Sequence, residues 1–462
     1  MKKLLSLLVA IALIATMALP LVAVAQDDEV IHLTYALWDD YEFNQALADY
    51  YHELHPNVVI DILELGGTDV YMANLYNLMA AGEFPDMYQL LAIDAAVTYG
   101  WMLDITDYCE NDPEWVADVP ESIKGASKLE GKVFQLAVEH LPITIYLDQT
   151  VFEKENVEMP SEDWTWEEMI ELCETMTRPD LGIWAYNSYL GLLSLGPIAL
   201  VDGAIGEFGW DGEEYHFDVW ADCISQEAEY QRLGYRALQD SDEWAAVAGS
   251  TDVWPGNSGF VAIQMDAWWT YNNIYSLSDT KDRGINMVPY PMPISEEVEN
   301  GATLSFIDFA AISRTTEHPE EAYEALKFMS FSEEGWLKKC ELYQTLTDEN
   351  GDLYYAMPNV VPATTNETVW EAYRALYDDS WWWDGFFANV MNPVPLGARN
   401  IPGFDAFLSE IYNGLDYNGV TGIEDAVFAG VADPYDYVDM LNEKGREYYD
   451  TYMATFNEIY GD

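Results

Sequence analysis

Two acids directly behind a tryptophan, Trp38-Asp39-Asp40, follow an apolar run and stand where a helix begins. A further acid, Glu139, sits in an otherwise apolar stretch and is followed by His140. A carboxylate in such surroundings needs a partner. Either neighbouring groups satisfy it within the fold, or it awaits a hydroxyl of a bound molecule. Asp39 with Glu42 also fits a reciprocal helix cap, so this segment has a structural reading beside the chemical one. Aromatic residues make up 14% of the chain, with 17 Trp and 32 Tyr. The informative ones stand at loops: Trp38, Trp254 beside Pro255-Gly256, the pair Trp268-Trp269, and the triplet Trp381-Trp382-Trp383. Flat rings match the apolar C–H faces of sugars, and a few polar groups then fix the hydroxyls. The competing reading for each ring is packing in a core or between lobes.

Other chemistries have less support. Cys109, Cys173, Cys223 and Cys340 are widely spaced, with no CxxC or Cys/His cluster, so a structural zinc site is not expected. In an oxidising compartment they allow one or two disulfides, whose pairing spacing does not decide. Asp348-Glu349-Asn350-Gly351-Asp352 resembles part of a calcium loop but lacks the following Gly and the terminal Glu, and reads as a turn. The sequence places no two acids together as a glycoside-cleaving pair. No catalytic residue, cofactor or metal ion is expected.

These candidates need a scaffold, and the hydrophobic pattern supplies one. Ile31 to Leu37 reads as a strand, Phe43, Leu47, Tyr51 and Leu54 recur at helical spacing, and Val58 to Ile62 is a second strand after His55-Pro56-Asn57. Strand, helix and strand in that order make a βαβ unit and imply a parallel sheet covered by helices. The alternation continues with a helix over Tyr71 to Ala81 and strands at Asp86–Leu90, Val133–Tyr146, Val261–Met265 and Phe306–Ile312. Thr165 and Glu168 form a capping box, and Pro319 opens a helix whose first turn carries Glu320 and Glu321. Ligands in such folds bind beyond the carboxyl ends of the strands, which makes strand-end residues the candidates.

Lys2 and Lys3, an apolar run to Val22 and Ala23-Val24-Ala25 form an export signal, with the mature chain expected from Gln26. The alternative is that the run stays uncut as an anchor, being about 20 residues long. No cysteine precedes Cys109, so the lipid-anchored form is not available. The remaining length exceeds one core of ~250–300 residues, so two lobes are expected. With 19 Lys plus Arg against 82 Asp plus Glu, a net charge of −63, the surface repels nucleic-acid backbones.

Six segments in order, HPNVVIDI, LMAAGEFPDMYQ, GKVFQLAVEHLPITIYLDQTVFEKENV leading to WTWEEM, FVAIQMDAWWTYNN, INMVPYPMP and AAISRTTEHPEEAYEALKFMSFSEEG, resemble the extracellular solute-binding proteins of sugar-importing ABC transporters, the group containing maltose-binding protein. The resemblance implies an α/β, two-lobed periplasmic-binding-protein-like fold with a ligand cleft at the hinge. It suggests a signal peptide at 1–25, a first lobe of 26–138 plus 289–338, and a second of 139–288 plus 339–462. A family Ala-Val-Glu segment that crosses between lobes and contacts sugar falls on Ala137-Val138-Glu139. A cleft tryptophan falls on Trp268, with Trp269 alongside. The polar residues after the first strand fall on Trp38, Asp39 and Asp40, and the position after the Pro-Asp motif falls near Gln89. A further family aromatic lands on Leu408, which counts against maltose itself, and Trp382 in the triplet is the compensating candidate. The implied protein is an exported, periplasmic or extracellular monomer. It would close on a carbohydrate-like solute, deliver it to an ABC permease and catalyse nothing. A polyamine, a peptide or another solute is the alternative ligand, and a secreted carbohydrate-active enzyme the alternative class.

Overall fold

The structure, a computed structural model, describes residues 30–178, 181–188, 191–295, 302–355, 357–377 and 382–461. The expected signal segment, residues 1–25, and Trp381 lie outside the described residues. No helix among those described is long and apolar enough to cross a membrane. The main sheet is built from β1 (Ile31–Leu37), β2 (Val58–Glu64), β3 (Met87–Leu90), β4 (Leu136–Asp148), β5 (Trp184–Ser188), β6 (Val261–Ala267), β7 (Met287–Tyr290), β8 (Thr303–Ile312) and β9 (Pro393–Pro395). Their spatial order is β2-β1-β3-β8-β4-β6-β5, with β9 beside β8 and β7 beside β4.

The first half follows from the opening βαβ unit. The helix α1 (Tyr41–Leu54) buries Phe43, Leu47, Ala48 and Tyr51, a stripe at the spacing that faces a sheet. It stops at His55, since the residue before Pro56 disfavours the helical conformation. β2 then runs parallel to β1, Ile31 opposite Val58. The helix α2 (Thr68–Ala81) ends on Gly82, whose left-handed φ of 75° returns its N–H to Leu78 and Met79.

β4 is the pivot of the architecture. Its first half pairs antiparallel with β8, Leu136 opposite Ala310 through Pro142 opposite Ser305. Its second half pairs with β6 and β7 instead. Pro142, with no N–H to give the ladder, stands where the strand changes partners. One core gathers Leu33, Leu47, Leu75, Val133, Phe309 and Leu326. A second gathers Ile143, Met169, Ile263, Trp268, Trp336 and Phe386, and also Tyr290, Met292, Ala302 and Leu304. β4 passes from the first (Val138) to the second (Leu141), and β8 from the second (Leu304) to the first (Ile307). The helix α3 (Pro319–Ser330) lies on the first core, and α4 (Glu333–Thr345) bridges, with Trp336 in the second core and Tyr343 in the first. A smaller core holds Phe217, Trp220, Phe404 and Phe407. The helix α5 (Val438–Tyr460) ties it to the first core, through Leu441 at one end and Phe456 at the other. The four cysteines are free and buried.

Candidate functional site

The chain leaves β1 for β2 on one side and arrives at β3 on the other, so the carboxyl ends of β1 and β3 open at a topological switch point. Trp38 and Asp39 follow β1, and Gln89 lies near the end of β3. Gln89, 1% exposed, joins these segments to β4: its Oε1 accepts from the Trp38 N–H at 3.1 Å, and its Nε2 donates to Glu139 Oε1 at 3.2 Å. Between Asp308 and Phe309 the β8–β4 register slips by one residue, a bulge that leaves Val138 unopposed. Bulges bend a strand and re-aim the adjacent side chain. Here the adjacent residue is Glu139, directly opposite Asp308.

The cap expected between Asp39 and Glu42 does not form. α1 starts behind Asp40, whose backbone is left-handed (φ 52°), and no side chain caps it. A non-glycine residue in that region is strained unless its surroundings hold it. The Asp40 carboxylate is held: Oδ1 accepts from the Tyr355 hydroxyl, and Oδ2 from Asn359 Nδ2 at 3.0 Å. Glu42 accepts instead from the Tyr354 hydroxyl at 2.9 Å. Asp39, Asp40 and Glu139 thus place carboxylate oxygens within 4.8 Å of one another.

Positive charge approaches this cluster but is engaged elsewhere. Arg399, on the short helix Gly397–Asn400, donates Nε–H to Asp308 at 2.8 Å and Nη1–H to the Leu91 carbonyl. Its guanidinium also lies 5.6 Å from the Trp38 ring centre. Buried Lys339 donates to the Met329 carbonyl at 2.6 Å and sits 4.5 Å from the Trp336 ring centre. Like charges and burial therefore dominate. Burial, then the charges of Asp40 and Asp308, push Asp39 up to about 7. Asp39 still meets solvent on one side, so the cluster is not a sealed interior. Glu139 is raised well above the usual carboxylate range by burial and by Asp39, Asp308 and Asp40, and Lys339 offsets only part of this. Burial in turn lowers Lys339 to about 8.

The tryptophans expected in the cleft are placed differently. Trp268 is 0% exposed, with Tyr271 stacked at 4.9 Å and Phe386 at 4.1 Å, so it offers no ring face to a ligand in this structure. Trp382 is buried edge-on against it at 6.1 Å. Trp38 is also buried, edge-on to Tyr71. Trp269 is half-buried and packs 5.0 Å from Phe306, on β8 where that strand passes between the cores. The structure thus brings Trp38, Asp39, Asp40, Gln89 and Glu139 together and leaves Trp268 and Trp382 in the second core. Sequence reasoning missed Asp308, Lys339, Arg399, Tyr355 and Asn359. Only Asp308, an acid within the apolar run Phe306–Ile312, carried the signal that had marked Glu139.

The chain matches the family model described as bacterial extracellular solute-binding protein over residues 37–335. No curated protein matches it by sequence. Its fold is similar to several solved structures. An ABC substrate-binding protein of Listeria monocytogenes in complex with cycloalternan has a TM-score of 0.60 at 16% identity, with 94% of this chain and 100% of that one covered. A sugar-binding protein of Xanthomonas citri gives 0.66 at 12%, covering 92% and 99%. A cyclic α-maltosyl-1,6-maltose binding protein of Arthrobacter globiformis gives 0.62 at 14%, covering 91% and 99%. These likenesses carry the two-lobed α/β fold across nearly the whole chain. With the family model spanning well over half its length, the chain belongs to the bacterial extracellular solute-binding proteins.

Proposed function

We propose that the crossing between the two cores is a clamp that closes on a carbohydrate and delivers it to an ABC importer. The observation that carries this is the convergence of three distant segments, Trp38–Asp40, Gln89 and Glu139, at the place where both cores meet. Carboxylates and an amide provide the oriented polar contacts that sugar hydroxyls require, and half-buried Trp269, packed beside Phe306 on β8, is the aromatic candidate. The named ligands of the Listeria and Arthrobacter proteins, cycloalternan and a cyclic maltosyl-maltose, support an oligosaccharide as the solute class. We take the first lobe to run to residue 138 and to resume near 305 rather than 289, because Tyr290, Met292, Ala302 and Leu304 pack in the second core. β4, β8 and α4 then form the hinge. A solute shifts such a hinge only by binding the closed form more tightly than the open one. A monomer exported by its signal segment and docking on a permease completes this reading.

The acidic cluster favours one second reading, a solute bearing an ammonium group. Titration calorimetry against neutral oligosaccharides and polyamines, at low and high salt, separates the two. Saturable sugar binding, a smaller radius of gyration on saturation and sugar recovered uncleaved are expected. Salt-sensitive polyamine binding without any sugar binding would replace the carbohydrate.

A further inference from the structure

A cavity of about 250 Å³ lies where three cores meet: Leu129 of the first, Val394 of the second and Trp210 of the smaller one all line it. It shares no lining residue with the cluster of Trp38, Asp39, Asp40, Gln89 and Glu139. Its walls are largely apolar and held in place. Trp210 packs against Tyr449 with ring centres 4.9 Å apart, and Pro393, Pro395 and Pro402 add backbone that their own rings restrain. The charged residues around it, Glu121, Lys128 and Glu130, are all exposed, so no buried charge waits there for a counter-ion.

A second, independent observation marks the same cavity. Ser122, on the helix Glu121–Ala126, and Asn400, at the end of the short helix after β9, both line it. Ser122 Oγ and Asn400 Oδ1 are buried and have no hydrogen-bond partner among the described residues. Native proteins leave few such atoms unpaired, because each gives up its bond to water without gaining another. Two of them on residues of one cavity point to a donor that arrives from outside the chain.

We propose that the cavity is a second ligand site, which takes one uncharged ring bearing hydroxyl groups, a monosaccharide or a cyclic polyol. Its volume lies below the ~300–1,000 Å³ of pockets for drug-sized ligands and well above the ~30 Å³ share of one water, which suits a single small ring and not an oligosaccharide. The C–H surface of the ring lies against the apolar walls, and its hydroxyls supply the donors that Ser122 and Asn400 lack. A mostly apolar lining with a few polar groups to fix orientation is the usual make-up of a small-molecule site.

This site is independent of the clamp reading. Saturation-transfer NMR on the full chain, with D-glucose, D-galactose, D-mannose and myo-inositol each at millimolar concentration, should give a saturable signal for at least one ring. Gly125 lines the cavity, and a Cβ added there meets no atom within 4 Å, so Gly125→Trp can occupy the space without straining the helix. Asn400→Leu removes the unpaired oxygen at similar volume, so it should fold at least as stably as the parent in urea denaturation. Each variant should weaken ring binding at least tenfold, while Asp39→Asn, at the crossing, should leave it unchanged. A signal for none of the four rings leaves water as the occupant and overturns the proposal. So does a signal that survives both cavity variants, or one abolished by Asp39→Asn alone, which would put the ring at the crossing. Failure of the clamp reading would show differently, as a ring that binds the cavity in a chain that binds no oligosaccharide.

Discussion

Trp268 and Trp269 are neighbours in sequence with different exposures, and this separates a folding role from a binding one. Trp268 fills the second core, and removing it leaves a cavity between Tyr271 and Phe386. Trp268→Ala should lower unfolding free energy by about 3–5 kcal/mol, the range for a buried aromatic, measured by urea denaturation. Trp269→Ala should cost less stability than Trp268→Ala and weaken solute binding by about 1–3 kcal/mol, as at other aromatic anchors, measured by calorimetry. If Trp269→Ala bound as tightly as the parent, it would leave the proposed site. The difference was not legible in the sequence, since both residues follow the same strand and only tertiary packing decides which ring turns inward. Asp39, Asp40 and Glu139 were easier to find because a strand end or an acid in an apolar run is a local signal. Lys339, on an ordinary amphipathic helix, and Tyr355 and Asn359, in an aperiodic loop, gave no such signal.

At the scale of elements, the site depends on β4, β8 and the short helix Gly397–Asn400 staying in register. The sequence showed the strand–helix alternation and the interruption at Pro142, but not that one strand changes partners midway, because partner choice is set by non-local contacts. The tie between β8 and the short helix is the Asp308–Arg399 pair, whose side chains are 9% and 12% exposed. Removing one partner of a buried pair leaves the other charge unpaired, whereas removing both can be nearly neutral. Arg399→Met should therefore destabilise by about 3–5 kcal/mol, and it should also raise the charge burden on Glu139 across the strand pair. Adding Asp308→Asn should recover most of that loss, a coupling that a double-mutant cycle in urea measures directly. Additive losses would mean that Arg399 acts through its contacts with Trp38 and Leu91 instead.

Across the whole molecule, the excess of acids over bases makes stability depend on pH through several partly or wholly desolvated carboxyls at once. Asp39, Asp94 and Glu207 are pushed up to about 7 and Asp266 to about 6, in each case chiefly by burial. Their unfolded values are 3.8 for Asp and 4.5 for Glu. Between those values and about 7 the folded chain holds more protons than the unfolded one, so stability falls as pH rises through the window. His140 works in the opposite sense: burial lowers it to about 3 from 6.5, so the unfolded chain holds the extra proton only below pH 6.5. Above 6.5 the acids act without that opposition. The melting temperature should therefore fall from pH 6.5 to pH 8 at constant ionic strength. Added salt should shrink only the part due to surface repulsion among the charges that make up −63. A melting temperature that is flat or rising over this range would mean that the buried acids keep partners or water that relieve them.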